Sequence, residues 1–461
     1  MRLRKQKKVV AVTLATAIAV STISASASAV QYDLANGDVT IGQDTNNGAF
    51  SYQGEDKEDN RTYVNKDEKD DGKIIINGDK DTPTSNTVTV KEDVKKTEDG
   101  RDVDIVIDGV NADTSESGKS TVTVGEGANV DLTVKDSTLT TGGNGIDIGK
   151  DLDRNDENKD TKVDLTLEDT TINQTNKNSA GLDVRQGSDV DLTLKGDNII
   201  DGSQATGDKN VSDNTNVEGI RVGGEVASDR SGAEKDAHLT IKGDKEETSD
   251  TTEETTGGSL TIKDTTTGMV IAGGSDEKDS SVTITDGADV TIQDTHISGS
   301  TQSGRDVIQH GDLTLDGGSS LTIDKTEHGS HVGEDGKPHE NGGIGIASWN
   351  DIIVKAKSKL NIKNTQTGIY GHQGASTSLT TEDSTLTITD SNTGIHYEGS
   401  GTAKDGSKLE AAGDITFKDS DVTIEGKSYG IATGNNSNTT VTFDNTTANI
   451  SAELNAKEKR W

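Results

Sequence analysis

The chain has 461 residues, with 81 acidic residues against 46 Lys and Arg, for a formal charge of −35. That charge excludes a role built on phosphate neutralisation and opposes docking on anionic lipid. At 28% hydrophobic and 2% aromatic residues the composition alone is that of a disordered chain, but the spacing of the apolar residues overrides it.

Residues 1–29 read as a secretory signal peptide. Arg2, Arg4, Lys5, Lys7 and Lys8 precede an apolar run from Val9 to Ile23, and Ala27-Ser28-Ala29 offers a small-x-small cleavage site. Cleavage after Ala29 removes five cations and takes the formal charge to −40. The mature chain is therefore expected to be exported. It has no cysteine, as suits a long solenoid that needs no disulfides.

Residues 30–120 are the least regular and are expected to hold the first distorted coils and an N-terminal cap. Val39-Thr40-Ile41, Ile74-Ile75-Ile76, Val88-Thr89-Val90 and Ile105-Val106-Ile107 read as strands there. From 121 to 450 the pattern sharpens. Short apolar-x-apolar triplets such as Leu132-Thr133-Val134, Leu165-Thr166-Leu167 and Leu192-Thr193-Leu194 alternate with Gly-Ile or Gly-Leu openings at Gly145, Gly181 and Gly219. Gly343-Ile344, Gly368-Ile369, Gly394-Ile395 and Gly430-Ile431 repeat the opening, the tightest coils at 25 and 26 residues. Acidic insertions at 150–162, 201–218, 243–258 and 325–342 fall in turns, where extra residues cost little. Residues 451–461 form a tail, where the chain is expected to stop short of a further domain.

The pattern predicts an all-β fold, a right-handed parallel β-helix with three short strands per coil. About a dozen coils would span roughly 55 Å. Flanking residues of each triplet point inward and the central Thr outward. The expected lining includes Ile146, Leu165, Leu167, Leu192, Leu194, Ile344, Leu360, Ile362, Leu386, Ile388, Ile395 and Val422. The opening glycines are expected to turn corners at positive φ. Central threonines are expected to form two outward columns, one through Thr133, Thr166, Thr193, Thr240, Thr283, Thr314, Thr416 and Thr442. The other runs through Thr261, Thr291, Thr322, Thr387 and Thr423.

Candidate chemistry sits at the outward position of the Gly-Ile strand. Asp147 and Asp183 fall on neighbouring coils with Arg221 one coil further, a carboxylate pair of the kind polysaccharide-cleaving β-helices use. Against this, an outward strand position is ordinarily just polar. Asp151, Asp153, Asn155 and Glu157 space oxygen ligands as a calcium loop does, but Asp156 stands where Gly belongs and Lys162 where Glu belongs. Weak Ca²⁺ binding is the only cofactor this suggests. Seven of the eight histidines lie between His296 and His396, without zinc-site spacing. Trp349 beside Tyr370, with His396 one coil on, suggests a glycan-stacking platform.

A signal peptide, a Cys-free Gly/Thr/Asp-rich repeat, and stretches such as Gly-Ala-Asp-Val-Thr-Ile (Gly287–Ile292) and Gly-Ser-Asp-Val-Asp-Leu-Thr-Leu (Gly187–Leu194) resemble an autotransporter (type V secretion) passenger domain. The resemblance spans nearly the whole chain. It implies display on the surface or outer membrane of a diderm bacterium, or release from it, and a partner outer-membrane β-barrel translocator. No barrel-like strand pattern occurs before Trp461. The expected function is non-catalytic adhesion, to a host protein or glycan or to further copies of the chain. The alternatives are a polysaccharide lyase or hydrolase using Asp147, Asp183 and Arg221, and a purely structural stalk.

Overall fold

The computed structural model describes residues 30–43, 50–56, 59–64, 73–92, 94, 103–152, 160–206, 216–223, 236–244, 258–272, 280–295, 305–309, 311–325, 330–332, 338–340, 343–373, 377–402 and 408–453. Residues 1–29 and at least half of each insertion lie outside them. The described chain is a parallel β-helix with three walls. The first wall is a sheet of thirteen strands, from Val30–Asp33 to Val441–Asp444. The second and third form one sheet of 23 strands, because Thr385–Tyr397 and Asp421–Thr433 run unbroken through the corner between them. Pairing in both sheets is parallel, except that Phe50–Asp56 runs antiparallel to Val39–Gln43 and Asp59–Val64 near the N-terminal end.

Register carries like residue over like. On the first wall Leu132, Leu165, Leu192 and Ile241 stack in turn. On the second, Leu260, Val290, Leu321, Leu360 and Leu386 do so. These side chains are fully buried and belong to one continuous core. Each contributes about 1.5–3 kcal/mol when removed from water. A thin aliphatic lining thus suffices, which is why low hydrophobicity and order coexist here.

Three expectations need correction. Ile344 is only half-buried, because Ile346 pairs with Ile369 and the equivalent opening is Gly345-Ile346. The doubled Gly-Ile-Gly-Ile offers two frames with the same inward face, and packing selects the second. The first threonine column is broken. Thr193 lies beside Lys242, Thr240 beside Asp191, and Ile353 separates Thr314 from Thr380. The second column holds, with Asn361 inserted between Thr322 and Thr387.

The third correction concerns the glycines. Gly343 has the expected positive φ, +129°, but Gly145, Gly181, Gly219, Gly268, Gly345, Gly368, Gly394 and Gly430 do not. A Cβ at any of the latter would lie 2.2–2.6 Å from the Cγ2 of an isoleucine on the second wall. They are glycine because the corner has no room for a side chain. The left-handed corner conformation falls instead to Asp136, Asp169, Asp264, Asp294, Asn364, Asp383, Asp390, Asp419 and Asn445. Asp and Asn tolerate it better than other side-chain-bearing residues.

Polar residues fill the inside of the corners. Thr265, Thr295, Thr365 and Ser391 are fully buried after the second-wall strand, and the last two share a hydroxyl hydrogen bond of 2.8 Å. Outside, charges alternate from coil to coil. Asp108–Lys135 at 3.0 Å and Lys195–Asp244 at 3.2 Å are two such pairs on the first wall, and Asp201–Lys263 at 3.0 Å and Asp324–Lys363 at 2.8 Å two on the second. Such exposed pairs contribute little each, about 0–1 kcal/mol, but they keep like charges from stacking.

Candidate functional site

Asp147, Asp183 and Arg221 of the first predicted group, and Tyr370 and His396 of the second, lie on one column of the third wall. Pairing runs Thr123, Asp147, Asp183, Arg221, Val270, Ile308, Ala347, Tyr370, His396, Ala432, one residue per coil. The carboxylate pair and the arginine are therefore neighbours as expected, about 4.8 Å apart per step. Their environment differs from the expectation. Asp147 and Asp183 are each only 1% exposed and Arg221 3%, so these outward positions are not solvated.

Neighbouring side chains account for much of that burial. Arg185, just past its strand, folds back so that Nε donates to Asp147 Oδ1 at 2.6 Å and Nη2 to Oδ2 at 3.1 Å. Lys150 adds a contact to the same carboxylate at 3.4 Å. Asn144 donates to Asp183 Oδ2 at 2.8 Å, and Arg221 reaches that oxygen at 3.4 Å. Arg221 Nε also donates to the buried carboxylate of Glu218. Three acids and three bases thus form one network, with the acids and Arg221 buried and Arg185 and Lys150 partly exposed over them. Arg185, Lys150, Glu218 and Asn144 were not singled out from the sequence. The signal available for three of them was a charged residue close beside these strands, Lys150, Arg185 and Glu218.

Burial pushes the Asp183 carboxyl up to about 6, Arg221 opposing the rise and Asp147 adding to it. Between pH 4 and 6 the folded chain then holds a proton that an unfolded Asp has released. Stability supplied by this group is therefore present below about pH 4 and lost as pH rises towards 6. Asp183→Asn is expected to remove about 2–3 kcal/mol of that pH dependence, one pKa unit being about 1.4 kcal/mol. Urea midpoints measured from pH 4 to 7 check this; an unchanged slope would assign the titration elsewhere. A carboxyl titrating near 6 is what a general acid needs, but at 1% exposure no substrate atom reaches Asp183 in this conformation.

The C-terminal part of the column is aromatic. Tyr370 stacks on His396 with ring centres 5.2 Å apart and planes 8° from parallel. Trp349 joins this stack through a third ring. His372 lies between Trp349 and Tyr370, stacked on the first at 3.6 Å and edge-on to the second at 4.7 Å. Beneath, Glu398 accepts from the Tyr370 hydroxyl and the Gln373 backbone N–H, and lies 3.5 Å from His372 Nδ1. All four rings are half-buried, with part of each reaching solvent. His372 and Glu398 are the members that sequence reasoning missed. They stand two residues beyond Tyr370 and His396, one residue past the ends of the strands Thr367–Gly371 and Thr385–Tyr397.

Of the calcium-loop candidates, Asp151 is exposed, while Asp153, Asn155 and Glu157 lie outside the described residues. Among the described residues no three His, Asp or Glu gather as a metal site. No helix among them is long and apolar enough to cross a membrane. Comparison with known protein families, curated proteins and solved structures finds no match to this chain.

Proposed function

We propose that this chain is an exported, non-catalytic adhesin, a β-helical shaft of the autotransporter passenger kind, displayed on a diderm bacterial surface through an outer-membrane barrel. The observation that carries the reading is the half-exposed Trp349–His372–Tyr370–His396 ladder beside Glu398. Ring faces and edges receive the C–H face of a pyranose, and a carboxylate accepts its hydroxyls. The strong negative charge favours a neutral glycan over an acidic one. The internal burial of Asp147 and Asp183 supports binding over cleavage.

The purified chain is expected to bind neutral glycans on an array, and Trp349→Ala to weaken that binding about tenfold, or about 1.4 kcal/mol. Unchanged binding by Trp349→Ala would remove the ladder from the function. Self-association along the second-wall threonine column is part of the same reading, with many weak contacts summed along a shaft. Displaying cells should then clump more readily as NaCl or Ca²⁺ screens the charge. Cells that stay dispersed and bind no host surface, with a purified chain that degrades a polysaccharide, would favour the enzyme.

A further inference from the structure

Two departures from the repeat, on consecutive coils, meet at one corner. Val307 pairs with Met269 on one side and Ile346 on the other, so Asp306 stands in the slot held by Gly268 and Gly345 in the flanking coils. Lys325 follows Asp324 at the corner position that Asp294 and Asn364 fill, left-handed, in the coils before and after. Either residue alone would put an uncompensated charge inside the wall. Together they form a pair with 0% side-chain exposure, Lys325 Nζ lying 3.5 Å from Asp306 Oδ1.

Their surroundings are poor for a permanent ion pair. Among the described residues neither Lys325 Nζ nor Asp306 Oδ2 has a hydrogen-bond partner. The Thr295 hydroxyl donates to Asp306 Oδ1. Burial pushes the Asp306 carboxyl up to about 7, against the pull of Lys325. Burial favours the acid form of the Asp306 carboxyl and holds it against the Lys325 amino group with bulk water excluded, the arrangement in which proximity accelerates a reaction most.

We propose that Lys325 and Asp306 become joined in the folded protein by an intramolecular amide bond between Nζ and Cγ. The amine lone pair adds to Cγ, and the Thr295 hydroxyl hydrogen-bonds the oxygen that gains charge. One carboxyl oxygen then leaves as water, taking the acid's proton and one proton from nitrogen. One N–H remains on the amide. Nothing is oxidised or reduced, and no further reactant is needed. The product replaces two buried charges with one neutral group. It also staples two consecutive coils where the 325–342 insertion begins, in a protein without cysteine.

Intact-mass spectrometry of the folded full chain tests this. The expected mass is below the sequence mass by one water, and tandem spectra of a digest should contain a branched peptide carrying both Asp306 and Lys325. Asp306→Gly, which restores the residue of the flanking coils, and Lys325→Arg are expected to show their full sequence masses. A folded wild-type chain at its full sequence mass overturns the proposal. So does a water loss that maps to another residue, such as a succinimide at an Asp-Gly step, or one that persists in Asp306→Gly.

Discussion

Arg221→Met is expected to destabilise the β-helix by about 3–5 kcal/mol, the usual cost of removing one partner from a buried charge network. Arg221 is the base that bridges Asp183 and Glu218, both 1% exposed. Without it Arg185, 3.5 Å from Asp183 and already engaged by Asp147, is the remaining cation at that carboxylate. Methionine fills a similar volume, so the loss reads charge more than packing. Urea unfolding followed by circular dichroism at pH 7.5 and pH 5 separates the two. The deficit should shrink at pH 5, where Asp183, pushed up to about 6, takes a proton. The double variant Glu218→Gln/Arg221→Met should recover part of the loss, since partners in one network are not additive. A single variant as stable as wild type at both pH values would mean that the network contributes no net stability.

Gly394→Ala is expected to cost about 3 kcal/mol, at the upper end for overpacking a filled interior. The new Cβ would stand 2.2 Å from Ile424 Cγ2 and 2.4 Å from the Gly430 carbonyl oxygen. The second obstacle is backbone on the neighbouring coil, which moves only if the wall moves. Ile424→Leu removes the Cγ2 methyl, so Gly394→Ala/Ile424→Leu should recover part of the loss but not all. Were glycine needed at this corner for backbone freedom alone, the Ile424 change would give no relief. Thermal midpoints of the three variants distinguish these outcomes.

The residue-by-residue legibility of the chain follows from what sets each feature. Leu165, Leu192, Leu360 and Leu386 were placed inside from alternation alone, and all are fully buried. The adjacency of Asp147, Asp183 and Arg221 was likewise readable, because equal offsets from successive Gly-Ile openings carry residues to the same height. Their burial was not readable. It depends on Arg185 and Lys150 turning back over the wall, and no periodicity encodes a side chain's direction beyond its strand. The aromatic ladder was half legible. Trp349, Tyr370 and His396 were singled out, but His372, which links Trp349 and Tyr370, was not.

The sequence by itself determined the fold class, the three-strand coil and most of the lining, since short period-two apolar triplets recurring in fixed order leave one way to bury them. Only the tertiary structure decided which of Gly343 and Gly345 opens its coil, and that Thr240 stands beside Asp191 instead of Thr193. It also decided why the glycines are glycine, and it alone brought Asp306 to Lys325. The physical reason is common to all four. Alternation specifies which face a residue takes, but a frame shifted by two residues keeps every face unchanged. The choice between such frames rests on contacts between coils, where an isoleucine methyl, a carbonyl oxygen or a buried charge from a distant part of the chain either fits or does not.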